Sequence, residues 1–213
     1  MPTVDLSLPL TEGMAGFPGY PGFQARQLER HDVEGKVSHH LSLPTHQGTH
    51  VDAPEHFVER GATVDDLDLD LLWGEARVVD LRAHAGAELD AAVLEAAAPD
   101  LDADRVLLLT GDVDAHFGGG DFFEEAAVLT ASAADWLLDR GVGLVANDFL
   151  TESIDVPMRP VHERLLGAGV PIVEYLCNAD AVAGYETVDF ACLPLALSGL
   201  EAAPARAVAR FET

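Results

Sequence analysis

Short apolar segments alternate with helical patterns along this chain, and that alternation narrows the fold more than any single residue does. Extended runs fall at Val4–Leu8, Val37–Leu43, Ala76–Leu81, Arg105–Thr110, Gly143–Ala146 and Val170–Glu174. Helical periodicity lies between several of them, at Leu89–Ala97, Thr130–Arg140 and Pro160–Leu166, with Thr130 in a capping position and Gly141 as the stop after Arg140. Strands interleaved with helices predict an α/β fold built on a mixed sheet with flanking helices. Near the end, Leu193–Ser198 and Ala205–Phe211 flank "GLEAAP" and read as a hairpin. No repeat or low-complexity linker interrupts the 213 residues, which read as one domain, and a 48% hydrophobic share suffices for a sizeable core.

Charge excludes some functions. Asp and Glu number 37 against 12 Lys and Arg, a formal net charge of −25, and Lys36 is the only lysine. Such a surface repels nucleic acid. Its self-repulsion weakens the fold in dilute buffer and is screened in molar salt, where the Debye length is ~3 Å; near-elimination of lysine while arginine remains therefore points to a halophilic protein. No apolar run approaches the ~18 residues a membrane helix needs, and "MPTVDLSLPLTEG" has neither a basic region nor a signal-peptide core. The expectation is a soluble cytoplasmic protein with Cys177 and Cys192 reduced in the core. Two glycine- and aromatic-rich segments, Gly13–Gly22 and Asp112–Phe123, are expected to be loops that line a site.

The stretch "HQGTHVDAPEHF", His46 to Phe57, holds a third of the nine histidines. Gly48, Thr49 and Val51 disfavour helix, so the spacing predicts a turn at Gly48 followed by an extended segment in which His50 and Asp52 share a face and Thr49 and Val51 point the other way. His46 returns across the glycine. "DAPEHFVERG" carries helix-start chemistry, with Asp52 in a capping position, Pro54 in the first turn and Gly61 at the exit, which would bring His56 back toward the same point. Two imidazoles and a carboxylate suit zinc or manganese and leave coordination positions open for water, the catalytic rather than the structural pattern.

This stretch closely resembles the signature of the cyclase family of metal-dependent hydrolases, which includes bacterial-type kynurenine formamidase, isatin hydrolase and a dienelactone hydrolase. The likeness spans nearly the whole chain. "VDLSLPLTEGM" resembles the opening strand, "LLLTGD" the central strand before a substrate loop, "LTASAADWLLDRGVGLVANDF" a helix and its next strand, "HERLLGAGVPIVEYL" the segment with the late ligands and "APARAVA" the closing strand. The resemblance implies the swivelling β/β/α-type fold, a homo-oligomer (dimer or tetramer) and one or two divalent ions per chain. It implies His46, His50 and Asp52 as ligands of a first ion, Asp52 as a bridge, His162 and Glu174 as ligands of a second, and His56 as general acid/base. On its own, His162 at the start of a helix reads more readily as a surface histidine than as a ligand, whereas Glu174 ending an apolar strand is costly unless paired or metal-bound.

Two departures bear on the substrate. Phe17 stands where the formamidase branch carries a tryptophan, and "NDFLTESID" is longer than the usual family loop by about two residues. Phe17, Tyr20, Phe117 and Phe122 are expected to form an aromatic wall, with Phe122 equally able to be core. The implied chemistry is hydrolysis of a small molecule, N-formylkynurenine to kynurenine and formate, by hydroxide generated on the metal, with His56 delivering a proton to the departing nitrogen. The alternatives are ring opening of a cyclic amide or lactone, as in isatin hydrolase, and a metal-binding protein without turnover.

Overall fold

Residues 1–156 and 158–211 are described by the computed structural model. The strands of the first half are β1 (Thr3–Asp5), β2 (Gln24–Glu29), β3 (Ser38–Ser42), β4 (His50–Asp52), β5 (Trp73–Asp80) and β6 (Glu88–Leu89). Those of the second are β7 (Arg105–Leu109), β8 (Val128–Leu129), β9 (Leu144–Asn147), β10 (Ile172–Glu174), β11 (Thr187–Pro194) and β12 (Ala202–Arg210). The main sheet runs β1-β12-β11-β5-β7-β9-β10-β4, and β4 pairs again with β12, closing seven strands into a barrel-like ring with β1 on its edge. β5, β7, β9 and β10 are parallel neighbours, whereas β11, β12, β4 and β1 join antiparallel, so the sheet is mixed as expected.

Alternation along each strand sorts side chains between two faces. Val51, Val78, Leu107, Ala146, Val173, Phe190 and Ala207, one from each ring strand, meet in a single buried cluster inside the ring. The opposite parity, including Val79, Leu108, Val145 and Ile172, packs outward against the helices Ala91–Ala97, Ala131–Asp139 and Pro160–Gly167. A fully buried aliphatic or aromatic side chain contributes roughly 1.5–3 kcal/mol. Val51 thus anchors β4 from the interior, leaving His50 and Asp52 to face outward, on the helix side.

Several expected boundaries move for physical reasons. The closing hairpin pairs Thr187–Pro194 with Ala202–Arg210, so its first strand starts and ends earlier than expected. Leu89 belongs to β6, and the helix after it begins only at Ala91, where Asp90 accepts a hydrogen bond from the Val93 N–H at 2.9 Å. Thr130 precedes its helix as read, but its hydroxyl bonds Ser132 Oγ at 3.0 Å rather than a free N–H; Gly141 ends the segment at φ 72°. The expected strand Val37–Leu43 is β3, paired only with β2 in a two-stranded sheet apart from the ring. Pro54–His56 forms a single 3-10 turn and no longer helix. Gly61 explains why the chain folds back there: a Cβ on it would lie 2.8 Å from the Glu55 nitrogen. The two cysteines are free, with Cys192 buried. No described helix is long and apolar enough to cross a membrane.

Candidate metal centre

The turn at Gly48 is real and required. Its φ is 65°, the left-handed region that favours glycine, and a Cβ would also have to displace the Leu10 side-chain tip, 2.5 Å away. Thr49 then fixes the approach of β4: its hydroxyl donates to the Tyr175 carbonyl at 2.6 Å and accepts from the Leu8 N–H at 2.8 Å. β4 pairs with β10 so that His50 lies opposite Glu174 and Asp52 opposite Ile172, which brings Glu174 onto the same outward face. The helix Pro160–Gly167 packs over that face and contributes His162.

Asp52 is the hub. Its Oδ1 lies 2.8 Å from His46 Nδ1 and 3.3 Å from His50 Nε2, and its Oδ2 lies 3.9 Å from His162 Nε2. Glu174 completes the group, with Oε2 at 3.5 Å from His50 Nε2 and Oε1 at 3.5 Å from His162 Nε2. Ligand-type atoms of His50, Asp52 and Glu174 fall within 4.8 Å of one another, and so do those of His46, Asp52 and His56. All six side chains singled out in the sequence for metal or proton chemistry are therefore brought together. His56 is as close to Asp52 and His46 as a ligand would be, its ring centroid 4.2 Å from that of His46.

The tautomers show what the cluster lacks. His50 Nδ1 lies 2.7 Å from the Gly48 carbonyl, which can only accept, so Nδ1 carries the hydrogen and Nε2 turns toward two carboxylate oxygens. A neutral His50 would aim a lone pair at both. His162 repeats the pattern: Nδ1 donates to Glu152 Oε1 at 2.5 Å, leaving Nε2 facing Asp52 and Glu174. His50 Nε2, Asp52 Oδ1 and Glu174 Oε1 are buried without a hydrogen-bond partner. Positive charge belongs between these atoms, and a divalent cation bound by imidazole and carboxylate fits the donor set.

The acid–base balance carries the same message. Burial disfavours the Asp52 carboxylate, yet the His50 and His46 imidazoles hold it well below the usual range. Burial likewise opposes protonation of His162, but Glu152 and Glu174 outweigh it and lift the imidazole to about 10. His50 also rises, with burial overcome by Asp52 and Glu174. Protons on these rings neutralise the carboxylates, and a metal ion would displace them. His56 differs: burial is the leading cause and pulls its pKa down, so this half-buried ring favours the neutral form.

Two orienting groups have no motif to reveal them. Glu152 is 3% exposed; besides His162 Nδ1 it accepts from the Val161 N–H at 3.0 Å, so one carboxylate caps the helix and sets the ring. Glu201 Oε1 stands 3.4 Å from His46 Nε2 and accepts from the Thr45 hydroxyl at 2.6 Å. The sequence signal for Glu152 was the long "NDFLTESID" loop; Glu201 gives none, because it lies in the turn of the far hairpin and meets His46 only through the closure of the ring.

A cavity of about 210 Å³ opens onto the cluster. Phe17 and Tyr20 line it, their rings 5.3 Å apart, as does Phe57, which stacks on His162 at 5.0 Å. Phe117 and Phe122 do not: they are buried behind Tyr175, with centroids 5.7 and 5.3 Å from its ring, because the segment expected to be a loop folds as the helices Asp112–His116 and Phe122–Glu125. The glycines between those helices face Leu8–Ala15 instead of the cavity. Tyr175 takes one of the vacated places on the wall, held at φ 61° next to Glu174.

Comparison with known proteins agrees with this arrangement. The Cyclase family profile matches residues 4–155. A kynurenine formamidase of Salinibacter ruber is 35% identical over 222 aligned residues, covering 99% of this chain and 98% of its own. One of Bacillus thuringiensis is 32% identical over 213, covering 97% and 96%. The solved structure of isatin hydrolase A from Labrenzia aggregata shares the fold, with a TM-score of 0.84 at 24% identity over 98% of this chain and 93% of that one. With its signature motif folded around a carboxylate hub and likeness along nearly its entire length, the chain belongs to the Cyclase family of metal-dependent hydrolases.

Proposed function

We propose that this protein is an amidohydrolase that converts N-formylkynurenine to kynurenine and formate. The observation that carries the reading is the pair of imidazoles, His50 and His162, whose inward-facing Nε2 atoms meet carboxylate oxygens across a gap suited to cations, with the neutral ring of His56 beside it. His46, His50 and Asp52 would hold one ion; Asp52, His162 and Glu174 would hold a second. When bound, such ions lower the pKa of water to about 7 and polarise a carbonyl.

The protein's own groups supply the rest. Asp52 and Glu174 gather the imidazoles, while Glu152, Glu201 and the Gly48 carbonyl fix which ring nitrogen of each faces inward. Phe17, Tyr20 and Phe57 offer an aromatic wall for an aryl group. Hydrolysis forms a bond from the water oxygen to the formyl carbon and breaks the carbon–nitrogen bond. His56, neutral at the outset, takes the proton that water gives up and passes it to the leaving nitrogen. The formamidase relatives support the substrate; the compact aromatic cavity also suits a bicyclic lactam, which makes ring opening the second reading.

Steady-state rates of the zinc- or manganese-loaded enzyme on N-formylkynurenine, isatin and an aryl lactone test this directly. Formamide hydrolysis should lead, and His56→Asn should lower its kcat by roughly 10²–10⁴ with metal content retained. Turnover of isatin with none of the formamide would transfer the assignment to ring opening. Loss of metal from the His56 variant would make that residue a ligand.

A further inference from the structure

The cavity contains one permanently cationic side chain, and no carboxylate among the described residues claims it. Arg159 lines the pocket at the Phe17 side, its guanidinium carbon 5.9 Å from the Phe17 ring centroid. Acidic residues outnumber basic ones about three to one in this chain, and most of its cations are taken up: Lys36 pairs with Glu29, Arg82 with Asp80 and Asp180, Arg164 with Asp135. Among the described residues, Arg159 forms no ion pair. Its Nη1 and Nη2 donate instead to the carbonyls of Ser153 and Ile154, at 2.6 and 3.1 Å.

Those two contacts fix the plane of the guanidinium and leave three of its five N–H groups uncommitted. The backbone of Arg159 is itself strained, at φ 46° and ψ 51°, a left-handed conformation that costs a non-glycine residue about 1 kcal/mol or more and that functional sites retain. The other charged groups of the cavity wall, Asp52, Glu152, His162 and Glu174, engage one another. Arg159 is the exception, and a planar fork held in place beside an aromatic wall is matched by an aryl substrate with a planar anion.

We infer that the substrate is an aryl amide bearing a free carboxylate and that Arg159 receives this carboxylate, a specificity role that rests on the amidohydrolase reading above. It separates the two candidate chemistries, since N-formylkynurenine carries a carboxylate and isatin carries none. Glu152 then steadies the reacting end of the substrate, and Arg159 holds its tail.

N-formylkynurenine and its decarboxylated analogue, N-formylkynuramine, differ only in that carboxylate. The ratio of their kcat/KM values, measured on the metal-loaded wild type, Arg159→Met and Arg159→Lys, isolates the contact. Wild type should prefer the acid; Arg159→Met should shrink the preference roughly 10- to 100-fold through KM, the effect of losing a charged hydrogen bond, and Arg159→Lys should restore part of it. An equal loss on both substrates would mean that Arg159 only braces Ser153 and Ile154, and it would overturn the inference, as would a wild type indifferent to the carboxylate. Inactivity of the wild type on both would instead overturn the amidohydrolase reading itself, and the inference with it.

Discussion

Two pairs of buried carboxylates close to the ends of neighbouring strands are held in opposite ways. Asp148, fully buried, accepts from the Thr110 and Gly111 N–H groups at 2.6 and 2.7 Å; Asp112 Oδ2 accepts from the Ala127 and Gly86 N–H groups at 2.7 and 3.2 Å, and the Thr110 hydroxyl lies between the two acids. Asp52 and Glu174 are equally withdrawn from solvent but face only side chains, chiefly imidazoles, and each keeps an oxygen without a partner. Main-chain donors cannot move away without unfolding, so the first pair is a fastening between loops. The second pair is gathered by groups that exchange protons for metal ions, so it is a receptor. Asp112 Oδ1 is also unpartnered, but no imidazole approaches it among the described contacts.

Replacing one residue at each of the two places, an imidazole beside Asp52 and Glu174 and a carboxylate of the other pair, sharpens this contrast most. His50→Ala should abolish tight metal binding, and activity with it, while the protein stays folded in molar KCl, because an open site is seldom the main source of stability in a domain of this size. Asp112→Ala should keep its metal and lose about 1–3 kcal/mol of stability per N–H group left bare. Elemental analysis paired with thermal melts reads both; unchanged metal in His50→Ala, or metal lost with Asp112→Ala while the fold is intact, would erase the distinction.

A smaller effect is expected one layer out. Glu152→Ala frees the His162 ring and should weaken metal affinity by roughly 10–100-fold, the usual cost of an orienting partner. Glu152→Gln should fall between, since its amide oxygen can accept from His162 Nδ1 while its NH₂ opposes the Val161 N–H. Competition against a chelator measures this, and wild-type affinity in both variants would leave Glu152 as a helix cap alone.

The mildest test lies in the fastening. Burial, with the Asp112 charge nearby, pushes Asp148 up to about 7 despite its hydrogen bonds. The native state keeps this proton where the unfolded chain, with an ordinary value of 3.8, has released it. Its contribution to stability therefore declines as pH rises from about 4 to about 7 and is level above that. Melting temperatures of the metal-loaded protein at constant KCl should follow this decline, and Asp148→Asn should flatten it; an identical slope in the variant would remove Asp148 as the cause.

How far the sequence reveals these features depends on the range of the interactions. The turn at Gly48, the shared face of His50 and Asp52, and the interleaving of strands and helices are local, and all three are legible. The second pairing of β4, which sets His50 opposite Pro204, joins residues from opposite ends of the chain and leaves no periodic trace. For the same reason Glu201 could not be placed beside His46. Phe117 leaves the wall because aromatics beside glycines read as a loop, whereas here it packs a small core behind Tyr175; Phe122, for which core and wall read equally, is core. The helix expected after Asp52 stops at one turn because Gly61 draws the chain back against Pro54.

The narrowness of β4 has a consequence for descent with change. Three residues hydrogen-bonded along both edges have no slack: a slip of one position would aim Val51 at the cavity and bury His50 and Asp52 inside the ring. Insertions are barred from this part of the chain, whereas the segment carrying Phe17 and Tyr20 lies outside the ring strands and can lengthen or exchange side chains without disturbing them. Lineages built on this scaffold should thus inherit their reaction as a fixed trait and diverge in appetite, with new substrates arising from loops while the hub stays as it was.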